Sequence, residues 1–261
     1  MVLFYFSGTG NTKLITELFG HALGAECHSI EEQVDFTQII ASEDIIGIFY
    51  PIYGSRIPRI MREFAIQNFD QLKDKRLIIV CTQMAFSGDG ARVFTDMFPC
   101  DHFQVIYAEH FVMPNNICNF FLLPLEKDIK IRKKLERTKL RLTAACTEIN
   151  RGIIRKRGFN RFSRALGLIQ GVFMPAIERK ALDRVWIDAD CNRCMQCIST
   201  CPMDNLNDNN DVISAKGNCT LCCRCINKCP QKAISVLFHT KVRKQYAGVA
   251  SCCDDIRNKL D

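Results

Sequence analysis

No run of eighteen apolar residues occurs in this chain of 261 residues, so no membrane span is expected. No cationic stretch precedes the opening MVLFYF, and the chain turns polar at Ser7; the segment reads as a first β-strand, not an export signal. A reducing, cytoplasmic setting is therefore expected, where cysteines serve as metal ligands before they serve as disulfides. The five histidines show no metal-binding spacing, and no hydrolase or transferase constellation is present. His110 is assigned a surface or packing role.

Cysteine is what the chain has in excess, at sixteen. Cys191, Cys194 and Cys197 are followed by Cys201-Pro202, and Cys219, Cys222 and Cys225 by Cys229-Pro230. Three thiolates spaced by two residues can wrap three corners of an iron–sulfur cubane. The fourth, set off by three residues and a proline turn, reaches the neighbouring cluster. This gives Cys191, Cys194, Cys197 and Cys229 for one [4Fe–4S] cluster, and Cys219, Cys222, Cys225 and Cys201 for the other. Two zinc sites are the rival use of eight cysteines, but the duplicated spacing with both prolines is more specific than a pair of CxxC hooks. Cys223 is out of step and reads as a non-ligand, and Cys252-Cys253 as a free surface pair. Eight thiolates and two oxidised cores would lower the formal charge of +7 to about +3. The basic composition is then poor support for nucleic-acid binding, and no reading motif or interleaved aromatic array accompanies it.

Residues 186–238 resemble the bacterial two-cluster ferredoxin, and Ala233-Ile234 after Pro230 matches that family's usual continuation. Met203-Asp204-Asn205-Leu206 after Pro202 departs from it. The resemblance implies a pseudo-twofold module carrying low-potential, one-electron centres.

At the other end, Ser7, Gly8, Thr9, Gly10, Asn11 and Thr12 follow the first strand and open a helix. Two glycines let backbone N–H groups curl inward, hydroxyls add donors, and the helix N-terminus favours an anion. The segment lacks the Lys-Ser/Thr ending of a triphosphate loop and the three glycines of a dinucleotide fold, so a monophosphate fits better. This loop resembles the phosphate loop of flavodoxin, which implies bound FMN. The same likeness implies ring-gripping loops at Pro51, Ile52, Tyr53 and Gly54, and at Thr82, Gln83, Met84, Phe86, Gly88, Asp89 and Gly90. In that likeness Gly54 lies beside the flavin N5, and Tyr53 or Phe86 covers a ring face.

Apolar runs at 2–6, 45–50 and 76–82, with weaker ones at 26–30 and 103–109, alternate with helical stretches at 12–23, 58–68 and 90–98. The fold class expected is α/β: a flavodoxin-like, five-stranded parallel sheet followed by a two-cluster ferredoxin-like domain. A stripe from Ile131 through Leu135, Thr138, Leu142, Ala145 and Ile149 to Ile153 predicts a helix of about thirty residues. A second helix over 161–178 should break near Pro175. The expected divisions are 1–157 for the FMN-binding domain, 158–182 for a helical linker, 183–238 for the cluster domain and 239–261 for a charged, peripheral tail.

The two resemblances together are those of fused flavodoxin/ferredoxin proteins of anaerobes. They imply intracellular electron transfer between FMN, the clusters and an external redox partner. The alternative is an FMN-dependent oxidoreductase acting on a small substrate with the clusters as its supply line. The cationic face of the long helix, including Lys130, Arg132, Lys133 and Arg137, is first a solvated surface and second a dock for an acidic redox protein. A homodimer is compatible with this plan.

Overall fold

The computed structural model describes residues 1–99, 102–120 and 122–249. Cys252 and Cys253 lie outside them. The chain divides into two compact units, the first comprising Met1–Ser7, Asn11–Met113 and Arg132–Val172, the second Gly8–Gly10, Pro114–Ile131 and Phe173 onward.

In the first unit the elements run β1 (Val2–Tyr5), α1 (Asn11–Leu23), β2 (Glu26–Ser29), α2 (Phe36–Ala41), β3 (Ile45–Pro51), α3 (Arg59–Gln67) and α4 (Phe69–Leu72). They continue through β4 (Arg76–Gln83), α5 (Arg92–Thr95), β5 (Gln104–Val112), α6 (Asp128–Asn150), β6 (Arg155–Lys156) and α7 (Arg161–Gly171). All pairings in the sheet are parallel, in the order β2-β1-β3-β4-β5-β6. The sheet has one strand more than the five expected. That sixth strand is only two exposed residues beside Tyr107 and Ala108, too short and too polar to give a periodicity signal.

Strands β3 and β4 are continuous apolar runs because both of their faces are covered, and Leu77 through Cys81 are fully buried. The chain leaves β1 toward β2 on one side and resumes at β3 on the other, so the strand order reverses beside β1. Ligand crevices of open α/β sheets form outside the carboxyl ends of the strands at such a reversal. The segments after β1, β3 and β4 all leave from those ends.

The apolar stripe of α6 is buried as its spacing requires, at Ile131, Leu135, Leu142 and Ala145, and Thr138 Oγ1 donates to the Val112 carbonyl at 3.1 Å. The helix stops at Asn150, short of the thirty residues expected. Gly152 adopts φ +69°, its N–H bonds Ile149 O at 2.9 Å, and Ile153 N bonds Glu148 O at 2.9 Å, a glycine-closed helix end that leaves Ile153 exposed. The helix expected over 161–178 is also two helices. The break expected near Pro175 falls at Val172 and Phe173, and Pro175 itself sits in the first turn of the later helix, where its missing N–H costs nothing.

The second unit holds α8 (Met174–Asp183), β7 (Val185–Ile187), α9 (Gln196–Ser199), β8 (Leu206–Asn209), β9 (Val212–Ala215), α10 (Arg224–Lys228) and β10 (Ile234–Val236). β7 and β10 pair antiparallel, as do β8 and β9. Two small apolar groups organise it: Leu206, Ile213, Ala233 and Ile234 in one, Ala181, Ile226, Val236 and Val242 in the other. Residues 239–249, the described part of the segment expected to be peripheral, are not so, because Val242, Tyr246 and Val249 are buried. Gln245 Nε2 reaches the Ile226 and Cys229 carbonyls at 2.9 and 2.6 Å, capping the end of α10. No helix among the described residues is long and apolar enough to cross a membrane.

Candidate functional site

The loops after β3 and β4 are joined at several points. Ile52 N donates to Thr82 O at 2.8 Å, and Tyr50 Oη to Gly90 O at 2.8 Å. Tyr53 and Arg56 exchange both backbone bonds at 3.0 Å around Gly54 and Ser55, whose φ values are +53° and +58°. Positive φ at both central residues marks a tight hairpin turn that glycine enters without steric cost. Pro51 ends β3 itself, while Met84 and Phe86 are exposed, with Phe86 53% accessible. Thr12, in the first turn of α1, is buried and meets the Thr82 hydroxyl at 2.8 Å.

Three polar atoms at the end of β4 and on the loop after it are buried with no hydrogen-bond partner in the structure: Gln83 Oε1, Ser87 Oγ and Asp89 Oδ1. Buried polar groups are normally paired, so such a cluster is compatible with a polar ligand nearby, although Asp89 Oδ1 packs against Gly167 and Ser87 Oγ against Gly90. Burial pushes the Asp89 carboxyl above its usual range, offset in part by its own backbone and by the nearby Arg56 cation. These features fit a flavin: orphaned acceptors and a hydroxyl beside a glycine-cornered turn, at the strand ends where such ligands sit.

Residues outside the sequence motifs complete the arrangement. Gln170 of α7 presents its Oε1 to Ser55 Oγ at 2.6 Å and to Gly88 N at 3.1 Å. A Cβ added at Gly88 would overlap backbone atoms of Ser163 and Gly167, so α7 lies directly on this loop. The spacing of Gly167 and Gly171 was the available signal for that close approach. His110 is packed beneath the same loop, with Nε2 accepting from Ala91 N at 3.2 Å. Burial first, and then the cation of Arg141, anchored by buried Glu109 at 2.7 Å, together lower its pKa to about 4.

Of the phosphate-type segment, Gly8, Thr9 and Gly10 belong to the second unit. Gly10 has φ +98° with open space around it, so its glycine is conformational. Gly8 is steric instead, since a Cβ there would overlap the Cys222 carbonyl. Asn116, absent from the sequence-derived set, donates to Thr9 Oγ1 at 2.9 Å. Ser7 is buried at the end of the strand segment, and Asn11 opens α1.

The cysteine segments repeat in conformation as well as in spacing. A shift of 28 residues carries Cys191, Cys194, Cys197 and Cys201 onto Cys219, Cys222, Cys225 and Cys229. The same shift carries the left-handed residues Arg193, Met195 and Asp204 (φ +55°, +59°, +47°) onto Leu221, Cys223 and Lys232 (+60°, +58°, +55°). Six non-glycine residues in this region are costly and persist only where the surroundings demand them. Their effect is to turn N–H groups toward sulfur. Arg193 and Leu221 donate to Cys191 and Cys219 at 3.4 Å, and Asn205 and Ala233 to Cys201 and Cys229 at 3.3 Å.

Cys191, Cys194, Cys197 and Cys229 line a single cavity, walled by Ile187, Met195, Ile213, Ala233 and Ile234. Cys201 lies within electrostatic range of Cys219, Cys222 and Cys225, whose thiols burial raises, that of Cys222 to about 12. Each fourth cysteine therefore joins the other repeat's trio. Among the described residues, no three His, Cys, Asp or Glu side chains converge as ligands of one metal ion, and every described cysteine is free. Ligands of a cubane approach four separate corners, so convergence on one point is not the geometry that such a group requires.

Residues 2–166 match a family model described as Flavodoxin domain. Among solved structures, two-electron reduced flavodoxin from Megasphaera elsdenii shares 20% identity, covering 56% of this chain and 99% of its own, with a TM-score of 0.37. A flavodoxin from the domain Archaea shares 12% identity over 57% of this chain and 97% of its own, with a TM-score of 0.37. The flavodoxin of Streptococcus pneumonia TIGR4 shares 14% identity over 57% and 97%, with a TM-score of 0.35. No curated protein matches the chain.

Proposed function

This chain belongs to the Flavodoxin domain family, and from that premise we propose that it is an electron carrier holding FMN on the loops after β1, β3 and β4 and two [4Fe–4S] clusters on eight cysteines. Flavin-binding electron transfer follows from the family. The clusters rest on one observation above all: four cysteines drawn from both repeats line one cavity, in the crossed combination that two interlocked cubanes need. Zinc gives no reason for the crossing, since two CxxC hooks could each close on a metal separately.

When bound, FMN supplies one- and two-electron chemistry that the clusters, as one-electron centres, can match. The chain's own contribution is to hold the ring. Gly54 and Ser55 make a turn beside it, Gln83, Ser87 and Asp89 offer polar atoms already free of other duties, and Gln170 fixes the two loops relative to each other. Buried Ile213, Ala233 and Ile234 would limit water at the Cys191, Cys194, Cys197 and Cys229 site, and inward N–H groups would stabilise negative charge on sulfur.

The partner is an acidic redox protein, approached by the exposed Lys130, Arg132, Lys133 and Arg137 of α6. The compartment is the cytoplasm, in keeping with thirteen described cysteines that are all free. The test is anaerobic reconstitution with iron, sulfide and FMN, followed by metal and flavin analysis and a reductive titration. Iron and sulfide near two cubanes per chain, with one flavin, are expected. A protein that takes up flavin but no iron would end the cluster assignment, and one that takes up iron but no flavin would end the loop assignment.

A further inference from the structure

Within the second unit, the loop residues Gly8–Gly10 and the second cysteine trio are tied together by a side chain that belongs to neither motif. Arg224 opens α10 between Cys222 and Cys225. Its Nε donates to Gly8 O at 3.1 Å, and its Nη1 to Thr200 O at 3.0 Å, one residue before Cys201. Gly8 lies so close to the Cys222 carbonyl that only glycine fits. A second path runs beside the first. Asn116 Nδ2 holds Thr9 Oγ1 at 2.9 Å, and Asn227 Nδ2 holds the carbonyls of Asn116 and Cys223 at 2.8 and 2.9 Å.

We propose that Arg224 is a positioning residue that couples phosphate binding at the Gly8–Gly10 loop to the electron affinity of the Cys201, Cys219, Cys222 and Cys225 site. The proposal rests on the reading of FMN and clusters given above. A guanidinium is a permanent cation with a planar fork, able to hold two carbonyls at once and to act electrostatically on whatever lies near. Its bond to Gly8 O fixes the orientation of the peptide that leads into the loop's N–H groups, and so prepares the loop for an anion. The same charge is carried by the residue immediately before Cys225 and two after Cys222. It favours the extra negative charge that reduction brings.

The sign of the coupling follows. A phosphate held on the loop brings negative charge to the neighbourhood of Arg224, so FMN binding makes this cluster harder to reduce. Reciprocity then requires that reducing this cluster weaken FMN binding by the same factor. The cluster on Cys191, Cys194, Cys197 and Cys229 has neither Arg224 nor the loop among its walls, and its potential should not respond.

The experiment uses the full chain, reconstituted and checked for iron, sulfide and flavin. In the parent protein, EPR-monitored redox titrations with and without FMN should show one cluster's potential falling on FMN addition while the other holds. The affected signal should be the one lost in Cys219→Ser. Arg224→Met should weaken FMN binding about tenfold or more, read by flavin fluorescence, and lower that same potential. Arg224→Lys should restore the potential but only part of the affinity, because the charge returns without the fork. Potentials that ignore FMN in the parent, or an Arg224→Met protein with full iron and unchanged FMN affinity and potentials, would overturn the coupling and leave the functional reading intact. A parent protein without iron or without flavin would remove that reading, and the coupling with it.

Discussion

The hydroxyl of Thr12, in the first turn of α1, meets that of Thr82, near the end of β4, at 2.8 Å in a buried position. This bond locks the helix that follows the phosphate-type segment to the strand that leads into the Met84–Gly90 loop. Thr82→Val keeps the shape but leaves the Thr12 hydroxyl buried and unpaired, for an expected loss of about 1–3 kcal/mol. Thr82→Ser should lose less. Urea denaturation of both variants checks this, and a valine variant as stable as the parent would show that the pair carries no weight.

His110 gives a pH dependence of known sign. Its pKa falls from 6.5 to about 4 in the folded protein, because burial disfavours the imidazolium and the Arg141 cation repels it. The unfolded chain therefore binds more protons between those values. Stability should be complete above pH 6.5, fall as pH drops toward 4, and change no further below, a loss of about 3 kcal/mol from this group. Asp89, whose pKa is raised, works in the opposite direction. The comparison that isolates His110 is therefore with His110→Gln, whose Oε1 can still accept from Ala91 N. Denaturation midpoints across pH 4–7 should show a shallower slope for the glutamine variant. Equal slopes would mean that His110 does not titrate in this window.

How much of this was legible in sequence depended on what kind of signal each feature leaves. The strands β1, β3 and β4 announce themselves because a doubly covered strand must be apolar throughout. β6 leaves no trace, since an exposed two-residue edge strand needs no particular composition. The cysteine spacing and its repeat are legible at once, while the crossed sets drawn from them are the proposal that iron analysis tests. Gln170, Asn116 and Arg224 were invisible, because one polar side chain that bonds carbonyls or a distant loop has no periodicity and no motif. Pro175 marked the break near it, since α7 ends at Gly171, but its place in the first turn of the next helix depends on where the preceding helix ends, which no single residue announces.

Gly88 tests the packing of α7 apart from backbone strain, because its φ is not in the left-handed region. An alanine there meets backbone atoms of Ser163 and Gly167 that cannot rotate away, so the helix must move. The expected cost is about 1–3 kcal/mol. It should appear first as faster hydrogen exchange of α7 amides, since Gly88 N also loses its bond to Gln170. Unchanged exchange in α7 with normal global stability would mean that the helix does not rest on this loop in solution.

The crossed cysteine sets make a prediction about pairs. If Cys191 and Cys229 serve one cluster, serine at either should remove that cluster's signal, and serine at both should cost no more than serine at one. Iron content should fall by about half in each single variant and stay there in the double. Serine at Cys191 together with Cys201 should instead remove nearly all the iron, because Cys201 stands with Cys219, Cys222 and Cys225. Cys223→Ser, a change outside both sets, should leave iron and EPR signals as they were. An uncrossed arrangement reverses the first two outcomes: Cys191 with Cys201 would then be the redundant pair, and Cys191 with Cys229 the pair that empties both sites. Iron analysis of four variants thus separates the two connectivities without any assumption about potentials, partners or the flavin.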